Sequence, residues 1–445
     1  MLLLRAVVKQ DRQQQPSLTP TIRRNAAIKL ASELIGRLAL FALVLFAARR
    51  LGEAGFGLYN YALALGFVLA QLTDLGMQLV LTREIAAGTG DALVTAALRL
   101  KIALSAVVAA VLWFVIGGQT VDRGAVFLLG LLPLLQSFPE FVGYIFRGRQ
   151  NLRVEAWLLA GARLALALAG VIALWRWPTL TALAISQAAV GLLFAVIGLA
   201  WLRRGGWLER LSEALAVHRL PRQRAELGYL LRQSLPLGVA IFLSIAYVRL
   251  AVLLLQLRLG ETAVAHFSAA ARLTEPAQLI PASIMAAVFP AFTLALRHDA
   301  AGARRLGTRA TLLVLVIGAA VALGGWLLGP WLVPWLYGAA YGAGILVFQV
   351  LAVQLVLAFV NHTLTHYLIA YGRQALLGAF TGAMLALHAA LSWALIPRFG
   401  PVGPALSMVV AELLLTVLCV LTLRASKPAL SALAPLDDGP DTIPA

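Results

Sequence analysis

The residues of this chain that could do chemistry are charged side chains placed inside long apolar stretches. Arg37 and Arg249 each lie near the middle of one stretch, and Arg272 lies within a third. Burying an ion in hydrocarbon is costly unless the ion is paired or hydrated, so each arginine is a candidate functional group. A guanidinium offers a planar fork of N–H donors that matches phosphate oxygens. The three arginines are therefore candidate ligands for an anionic substrate.

Two of these arginines have an acidic neighbour on the same predicted helix face. Glu33 precedes Arg37 by four residues, and this spacing places the two side chains together. Both a self-contained ion pair and an arginine that faces a cavity fit that pattern. Glu275 follows Arg272 by three residues near the outer end of its stretch, which favours a structural pair. Arg249 has no acidic residue within four positions, so it needs water, an anion or a partner from another helix.

Two further carboxylates are candidates for a coupling or a structural role. Asp74 either takes up a proton or cation, or pairs with a neighbouring helix or a loop arginine such as Arg83. Glu412 has no cation within four residues, which favours a neutral, hydrogen-bonded acid over a coupling site. Two roles are open for Arg163: its side chain snorkels towards the membrane interface, or it pairs with a residue of another helix.

His362 and His366 are four residues apart beside several hydroxyl and amide side chains. The spacing can bind zinc, but neither a HExxH motif nor a nearby carboxylate accompanies it, so no metal is expected. A polar strip along a hydrated cavity or sugar path and plain hydrogen bonding between helices both remain open. The sequence has no Gly-Lys dipeptide, no Asp-x-Asp pair and no Gly-x-Ser-x-Gly motif. It therefore predicts no P-loop ATPase, no cofactor and no catalytic site of these classes.

The elements that must position these residues are about a dozen apolar stretches. The chain has 445 residues, is 61% hydrophobic and has a mean hydropathy of +0.88. Unbroken apolar runs of about 20 residues are typical of transmembrane helices. The sequence therefore predicts an all-α polytopic membrane protein with about twelve spans: 26–48, 58–81, 95–118, 124–146, 155–175, 179–202, 232–257, 265–296, 309–329, 343–370, 375–396 and 401–423.

The net charge of +17 comes mostly from arginines gathered in alternate gaps between the stretches. By the positive-inside rule, this bias predicts that both termini are cytoplasmic and that the excess charge faces anionic lipid, not nucleic acid. The predicted organisation is a tail (1–25), an N-lobe of six helices (26–202), a linker (203–231), a C-lobe of six helices (232–423) and a second tail (424–445).

The two predicted lobes carry a related segment. Leu-Gly-Glu at Leu51 recurs at Leu259, 208 residues later, and each copy is followed by an aromatic and a small polar residue: Tyr59 and Asn60, Phe267 and Ser268. Lobes of six spans have the same orientation, so the pattern predicts parallel repeats about an axis along the membrane normal. The position equivalent to Arg37 lies one helical turn from Arg249. Pseudo-symmetry therefore predicts positive charge on both walls of one cavity.

The segment Arg50-Leu-Gly-Glu-Ala-Gly-Phe-Gly-Leu-Tyr59, with Asp74-Leu-Gly76 and Thr82-Arg83-Glu84, resembles the N-terminal signature of polysaccharide and O-antigen flippases. These belong to the multidrug/oligosaccharidyl-lipid/polysaccharide exporter superfamily. The resemblance continues in the stretch from Phe267 to Pro290 and in the stretch from Arg398 to Ala405. The two extra helices of some relatives that flip peptidoglycan precursor have no counterpart among the twelve predicted spans.

The resemblance implies two pseudo-symmetric six-helix lobes around a central cavity. It implies a transporter, not an enzyme, that moves a polyprenyl-pyrophosphate-linked oligosaccharide from the inner to the outer leaflet of a bacterial or archaeal plasma membrane. Such a flippase serves cell-surface polysaccharides such as the O-antigen of lipopolysaccharide, and its partners would be a polymerase, a ligase or a chain-length regulator. A drug or cation exporter of the same superfamily and a membrane glycosyltransferase or polymerase are the alternatives.

Overall fold

The computed structural model describes residues 20–117, 122–204 and 220–425, so the two predicted tails lie largely, and the linker partly, outside the described residues. The helices of the described chain are α1 Pro20–Asp74, α2 Met77–Ala86, α3 Asp91–Ile116, α4 Arg123–Gly148, α5 Leu152–Arg176, α6 Leu180–Arg204, α7 Leu220–Leu259, α8 Glu261–Thr274, α9 Leu279–His298, α10 Ala300–Tyr337, α11 Gly344–Ala370, α12 Gln374–Phe399 and α13 Val402–Ala425. Two 3-10 segments, Glu275–Gln278 and Ala339–Ala343, precede α9 and α11.

The fold is that of the predicted all-α, multi-pass membrane protein. Ten helical segments of the described chain are long and apolar enough to cross a membrane. The first predicted span, 26–48, and most of the second, 58–81, fall on α1, which runs on as one helix of 55 residues across a kink at Gly52. The second span was predicted too long, because α1 ends at Asp74 and two residues with positive φ, Leu75 and Gly76, separate it from α2. Helix α7 begins at Leu220, within the predicted linker.

Two glycines give the duplicated segments the same local structure. Gly52 interrupts α1 with φ 69° and ψ −176°, and Gly260 separates α7 from α8 with φ 81° and ψ −169°. Positive φ is readily adopted only by glycine, since it has no Cβ. The two residues are 208 positions apart. The repeat inferred from Leu-Gly-Glu is therefore present in the backbone as an equivalent turn after the first span of each lobe.

The two lobes are formed by α1–α6 and α7–α13, and they contact each other chiefly through α1, α2 and α3 against α7 and α8. Since successive helices alternate in direction, Gly52, Gly260, Gly338 and Gly400 lie at one end of the bundle, called here the glycine end. The opposite end, where α6 stops and α7 starts, is called the linker end. The largest apolar core cluster includes buried residues of both lobes near the glycine end, such as Phe56, Phe267 and Tyr341.

At the glycine end the lobes are in backbone contact. A Cβ built on Gly57 would lie 1.9 Å from the carbonyl oxygen of Glu261, so only glycine fits there. Arg49 of α1 donates hydrogen bonds to the last carbonyls of α10, at Trp335 and Leu336, where the helix dipole favours a cation. The Tyr341 hydroxyl donates to the carbonyl of Ala48 at 3.0 Å. These contacts close the interface at this end.

At the linker end the contact is made by α7. The Tyr229 hydroxyl donates to the Glu84 carboxylate at 3.0 Å, and a Cβ on Gly76 would lie 2.5 Å from the backbone nitrogen of Gly238. Helix α9 packs instead against α10 and α11 of its own lobe. Leu34 and Leu38 of α1 and Leu279 of α9 are each about half exposed, and they line the cavity described next.

Candidate functional site

A cavity of about 600 Å³ lies between the lobes, called here the central cavity. Residues of α1, α4 and α5 line it from the N-lobe, and residues of α7, α8, α9 and the 3-10 segment between α8 and α9 line it from the C-lobe. Its charged lining residues are four arginines and two glutamates: Arg37, Arg163, Arg249, Arg272, Glu140 and Glu275. The three arginines selected from the sequence therefore share one cavity. That they bind substrate stays a prediction.

The C-lobe contributes two arginines that share one carboxylate. Arg272 Nη1 lies 3.2 Å from Glu275 Oε2, and Arg249 Nη1 lies 4.0 Å from Glu275 Oε1. Arg249 also lies over the ring of Phe67, with 5.0 Å from its guanidinium carbon to the ring centroid. The partner that Arg249 lacked in its own helix thus comes from another one. One positive charge of this Arg–Glu–Arg group is left uncompensated by Glu275.

The break between α8 and α9 places this group in the cavity wall. Pro276 has no backbone N–H, and the chain passes from α-helix to the 3-10 segment at Glu275. The predicted span 265–296 is thus divided between α8 and α9. The Arg272–Glu275 pair, expected near the outer end of that span, lies at the break and lines the cavity.

The N-lobe contributes a second Arg–Glu–Arg group. Glu33 Oε1 lies 3.0 Å from Arg37 Nη2 and 3.5 Å from Arg163 Nη1. Arg163 approaches α1 closely at Gly36, where a Cβ would lie 3.0 Å from the Arg163 Cδ. Both interpretations of Arg37 apply, since it pairs with Glu33 and also lines the cavity. Arg163 makes the inter-helix pair that was one of its two expected roles.

A second cavity of about 330 Å³, called here the C-lobe branch, shares Arg249, Arg272 and Glu275 with the central cavity. Glu412 lies in its wall and is 9% exposed. Its carboxylate accepts hydrogen bonds from neutral donors, Asn361 Nδ2 at 2.6 Å and Gln354 Nε2 at 3.3 Å. Glu412 was expected to be a hydrogen-bonded acid, and these two neutral donors are the kind of partner that such an acid would have.

The two histidines of α11 differ in environment. His362 lines the C-lobe branch. His366 donates from Nδ1 to the His362 carbonyl at 2.7 Å, and its ring packs edge-on against Phe289. Within the described residues, no group of three or more histidine, cysteine, aspartate or glutamate side chains could hold a metal ion.

Asp74 pairs with Lys101 of α3, not with Arg83, which pairs with its neighbour Glu84. Lys101 has no exposed side-chain surface, and its ammonium lies 5.3 Å from the ring centroid of Phe138. Lys101 falls inside the predicted span 95–118, and its pairing with Asp74 holds the ammonium within the bundle.

We expect Lys101→Met to destabilise the fold. The substitution leaves the Asp74 carboxylate, which is 17% exposed, without its cation. Breaking a buried ion pair from one side costs about 3–5 kcal/mol. The melting temperature in detergent should fall clearly, and the double variant Lys101→Met with Asp74→Asn should recover most of the loss. An unchanged melting temperature in the single variant would show that the pair does not stabilise the fold.

Comparison with known proteins assigns the family. A family model described as polysaccharide biosynthesis protein matches residues 22–295, more than half of the chain. The chain belongs to the polysaccharide biosynthesis protein family. A search among curated proteins finds no significant match to this family member.

Solved structures similar to this family member are transporters. An inward-facing multidrug resistance MATE transporter of the MOP superfamily has a TM-score of 0.66 at 15% identity, covering 92% of this chain and 99% of that one. The lipid II flippase MurJ, in an inward closed conformation, has a TM-score of 0.63 at 11% identity, and the match covers 90% of this chain and 87% of that one. A MOP superfamily transporter from Pyrococcus furiosus, whose binding pocket is described as having reverse polarity, has a TM-score of 0.60 at 18% identity. That match covers 91% of this chain and 96% of the other. At these identities the likeness establishes the fold alone.

Glu140 is a cavity residue that the sequence-level interpretation missed. It lies in α4, lines the central cavity and is exposed to it. The available signal was a carboxylate inside a predicted span, directly after Pro139. The pairing of Lys101 with Asp74 was also missed, because no sequence spacing predicts a contact between residues on separate helices.

Proposed function

We propose that this family member is a flippase that moves a polyprenyl-pyrophosphate-linked oligosaccharide from the inner to the outer leaflet by alternating access. One observation supports the proposal above the others: each lobe places an Arg–Glu–Arg group on the same cavity. Each group holds two guanidinium groups and one carboxylate. With Glu140 also in the lining, four arginines face three carboxylates. The excess positive charge suits a diphosphate, whose oxygens guanidinium forks bind well.

The cavity also suits the other parts of such a substrate. Leu34, Leu38 and Leu279 give it an apolar, half-exposed margin between α1 and α9. A lipid tail could remain in the bilayer at this margin while the charged headgroup stays in the cavity, which avoids carrying charge through hydrocarbon. Delivery to the other side requires the contacts at the glycine end to open while α1 and α9, which line the exposed margin, come together, as lobes rocking about a fixed site would do.

In this proposal the linker end and both termini face the cytoplasm, and the membrane is a bacterial or archaeal plasma membrane. The energy would come from ion coupling or from consumption of the flipped substrate by a polymerase or ligase. Glu412 is the coupling candidate of the C-lobe, since its hydrogen-bond partners are neutral and it lines the C-lobe branch. Asp74 is tied to Lys101, which favours a structural role for it.

A second candidate function is export of an apolar cation. Glu412 lies in the C-lobe branch with Tyr247, Phe267, Met384 and Met408, and a carboxylate among aromatic and thioether groups suits such cargo. The arginines that border the same branch oppose it by repulsion. The flippase proposal therefore accounts for more of the lining.

Reconstitution distinguishes the two functions. In liposomes that contain the full chain, we expect a fluorescent polyprenyl-diphosphate oligosaccharide in the inner leaflet to become accessible to an external glycosidase. Protein-free liposomes should keep this pool protected. A pool that stays protected, together with export of ethidium under an imposed ion gradient, would overturn the flippase proposal in favour of the exporter.

A further inference from the structure

Resting on the proposed function, we infer that the C-lobe branch is the subsite for the uncharged sugar joined to the diphosphate. The branch borders the central cavity at Arg249, Arg272 and Glu275, which line both. A diphosphate held by the two arginines would have the apolar margin on one side and the branch on the other. The lipid tail would leave by the margin, so the sugar would enter the branch.

The lining of the branch has the chemistry of sugar recognition. Apart from the shared charged group, Glu412 and His362, its polar side chains are neutral amides and hydroxyls, among them Asn60, Ser268, Gln354, Asn361 and Thr381. Amides and hydroxyls both donate and accept hydrogen bonds, as sugar hydroxyls do. A site built from such groups discriminates strongly against a ligand that cannot pair with them, because its polar groups would be left unpaired.

One of these groups lacks a partner in the folded chain. Ser268 is only 4% exposed, and its Oγ is buried and makes no hydrogen bond to any described residue. An unpaired buried hydroxyl is unfavourable, and a sugar hydroxyl in the branch would supply the missing partner. Asn60, its equivalent in the repeat, donates from Nδ2 to the Phe56 carbonyl and lines the same branch.

The size of the branch limits what it can hold. Its volume of about 330 Å³ lies at the lower end of ligand pockets, which span about 300–1,000 Å³. That suits the first sugar and not a whole oligosaccharide. The branch would therefore select the sugar at the reducing end, while the rest of the glycan lies in the open part of the cavity.

Binding to sugar-bearing and sugar-free probes tests this inference. The full chain in nanodiscs is titrated with undecaprenyl diphosphate and with the same lipid carrying N-acetylglucosamine, glucose or galactose, and binding is followed by tryptophan fluorescence. We expect at least one glycosylated probe to bind about three- to tenfold more tightly than the sugar-free lipid, as one hydrogen bond or so would give. Ser268→Ala should remove this advantage and leave the affinity for the sugar-free lipid unchanged.

The matched control is Ser105→Ala. Ser105 Oγ is also buried without a described partner, but Ser105 lies in α3 and lines neither cavity. It should leave all affinities unchanged. Ser268→Ala removes an unpaired hydroxyl, so its melting temperature should not fall. Thr381→Val is a second, isosteric variant of the branch and should also weaken only the glycosylated probe.

Two results would overturn the inference while leaving the flippase proposal standing. One is that no glycosylated probe binds more tightly than undecaprenyl diphosphate. The other is that Ser268→Ala and Thr381→Val weaken both kinds of probe equally, or neither. If the wild-type chain binds none of the probes, the sugar-free diphosphate included, the proposed function itself fails.

Discussion

Arg249→Ala should lower the initial rate of lipid-linked oligosaccharide flipping by about ten- to hundredfold, the equivalent of losing one or two charge-assisted hydrogen bonds. The substitution removes the excess positive charge of the C-lobe group, because Glu275 then has one cation, Arg272, 3.2 Å away. That remaining pair also means that Glu275 is not left without a cation. The rate is measured by accessibility of the fluorescent substrate in liposomes, with protein amount and monodispersity matched by size exclusion.

Arg258→Ala is the control for this experiment. Arg258 lies on the same helix, α7, with its guanidinium 4.0 Å from the ring centroid of Trp393 and outside both cavities. Its loss should leave flipping unchanged. Arg249→Lys keeps the charge but not the fork, so it should recover part of the rate. Flipping at the wild-type rate by Arg249→Ala would remove this arginine from the substrate site.

Gly57→Ala should block the transport cycle by preventing closure at the glycine end. The added Cβ would lie 1.9 Å from the Glu261 carbonyl oxygen, which belongs to the other lobe. Alanine is otherwise favourable in a helix, so the effect comes from the contact alone. Overpacking of this kind costs about 1–3 kcal/mol, and we expect the state closed at this end to be depopulated and the flipping rate to fall at least about tenfold.

The conformational effect can be measured at a cavity cysteine. Ala271 lines the C-lobe branch, and the chain's single native cysteine, Cys419, is buried. In a Cys419→Ala background, Gly57→Ala should make Ala271→Cys react faster with an impermeant maleimide added from the glycine end. Labelling and flipping at the rates found without Gly57→Ala would contradict a tight inter-lobe contact there.

Two other glycines separate this effect from general destabilisation. A Cβ on Gly66 would lie 2.2 Å from the Gly130 carbonyl oxygen within the N-lobe, so Gly66→Ala should lower the melting temperature without raising labelling from the glycine end. A Cβ on Gly324 would meet nothing within 4 Å. Gly324→Ala should be neutral or slightly stabilising, because alanine replaces glycine inside α10.

The spans could be predicted because their signal is local. An apolar run long enough for the bilayer folds as a helix whatever its neighbours are, since only hydrogen bonds within the segment satisfy its backbone in lipid. The repeat was readable for a similar reason. Gly52 and Gly260 both have positive φ. Glycine adopts this conformation readily because it has no Cβ, so the residue type itself indicates the turn. The embedded arginines were equally visible, because arginine is rare in spans and each can be found by inspection. Glu140 gave the same kind of signal and was missed.

The partners of those charges were not readable in the same way. Glu33 beside Arg37 follows from helix spacing, but the contacts of Glu33 with Arg163 and of Glu275 with Arg249 join different helices. The pair of Lys101 with Asp74 was missed for this reason, since the two residues lie on separate helices. Such contacts depend on how each helix is rotated and where it crosses its neighbour, and hydropathy does not specify either.

By itself the sequence determined that the chain is helical, crosses the membrane many times, is built from two related halves and carries arginines within its spans. These are properties of single segments, set by length, composition and the conformational range of glycine. Only the tertiary structure decided that Arg37, Arg163, Arg249 and Arg272 line one cavity and that Asn60 and Ser268 line its C-lobe branch. Convergence of side chains from separate helices follows from packing between them, which no single segment encodes.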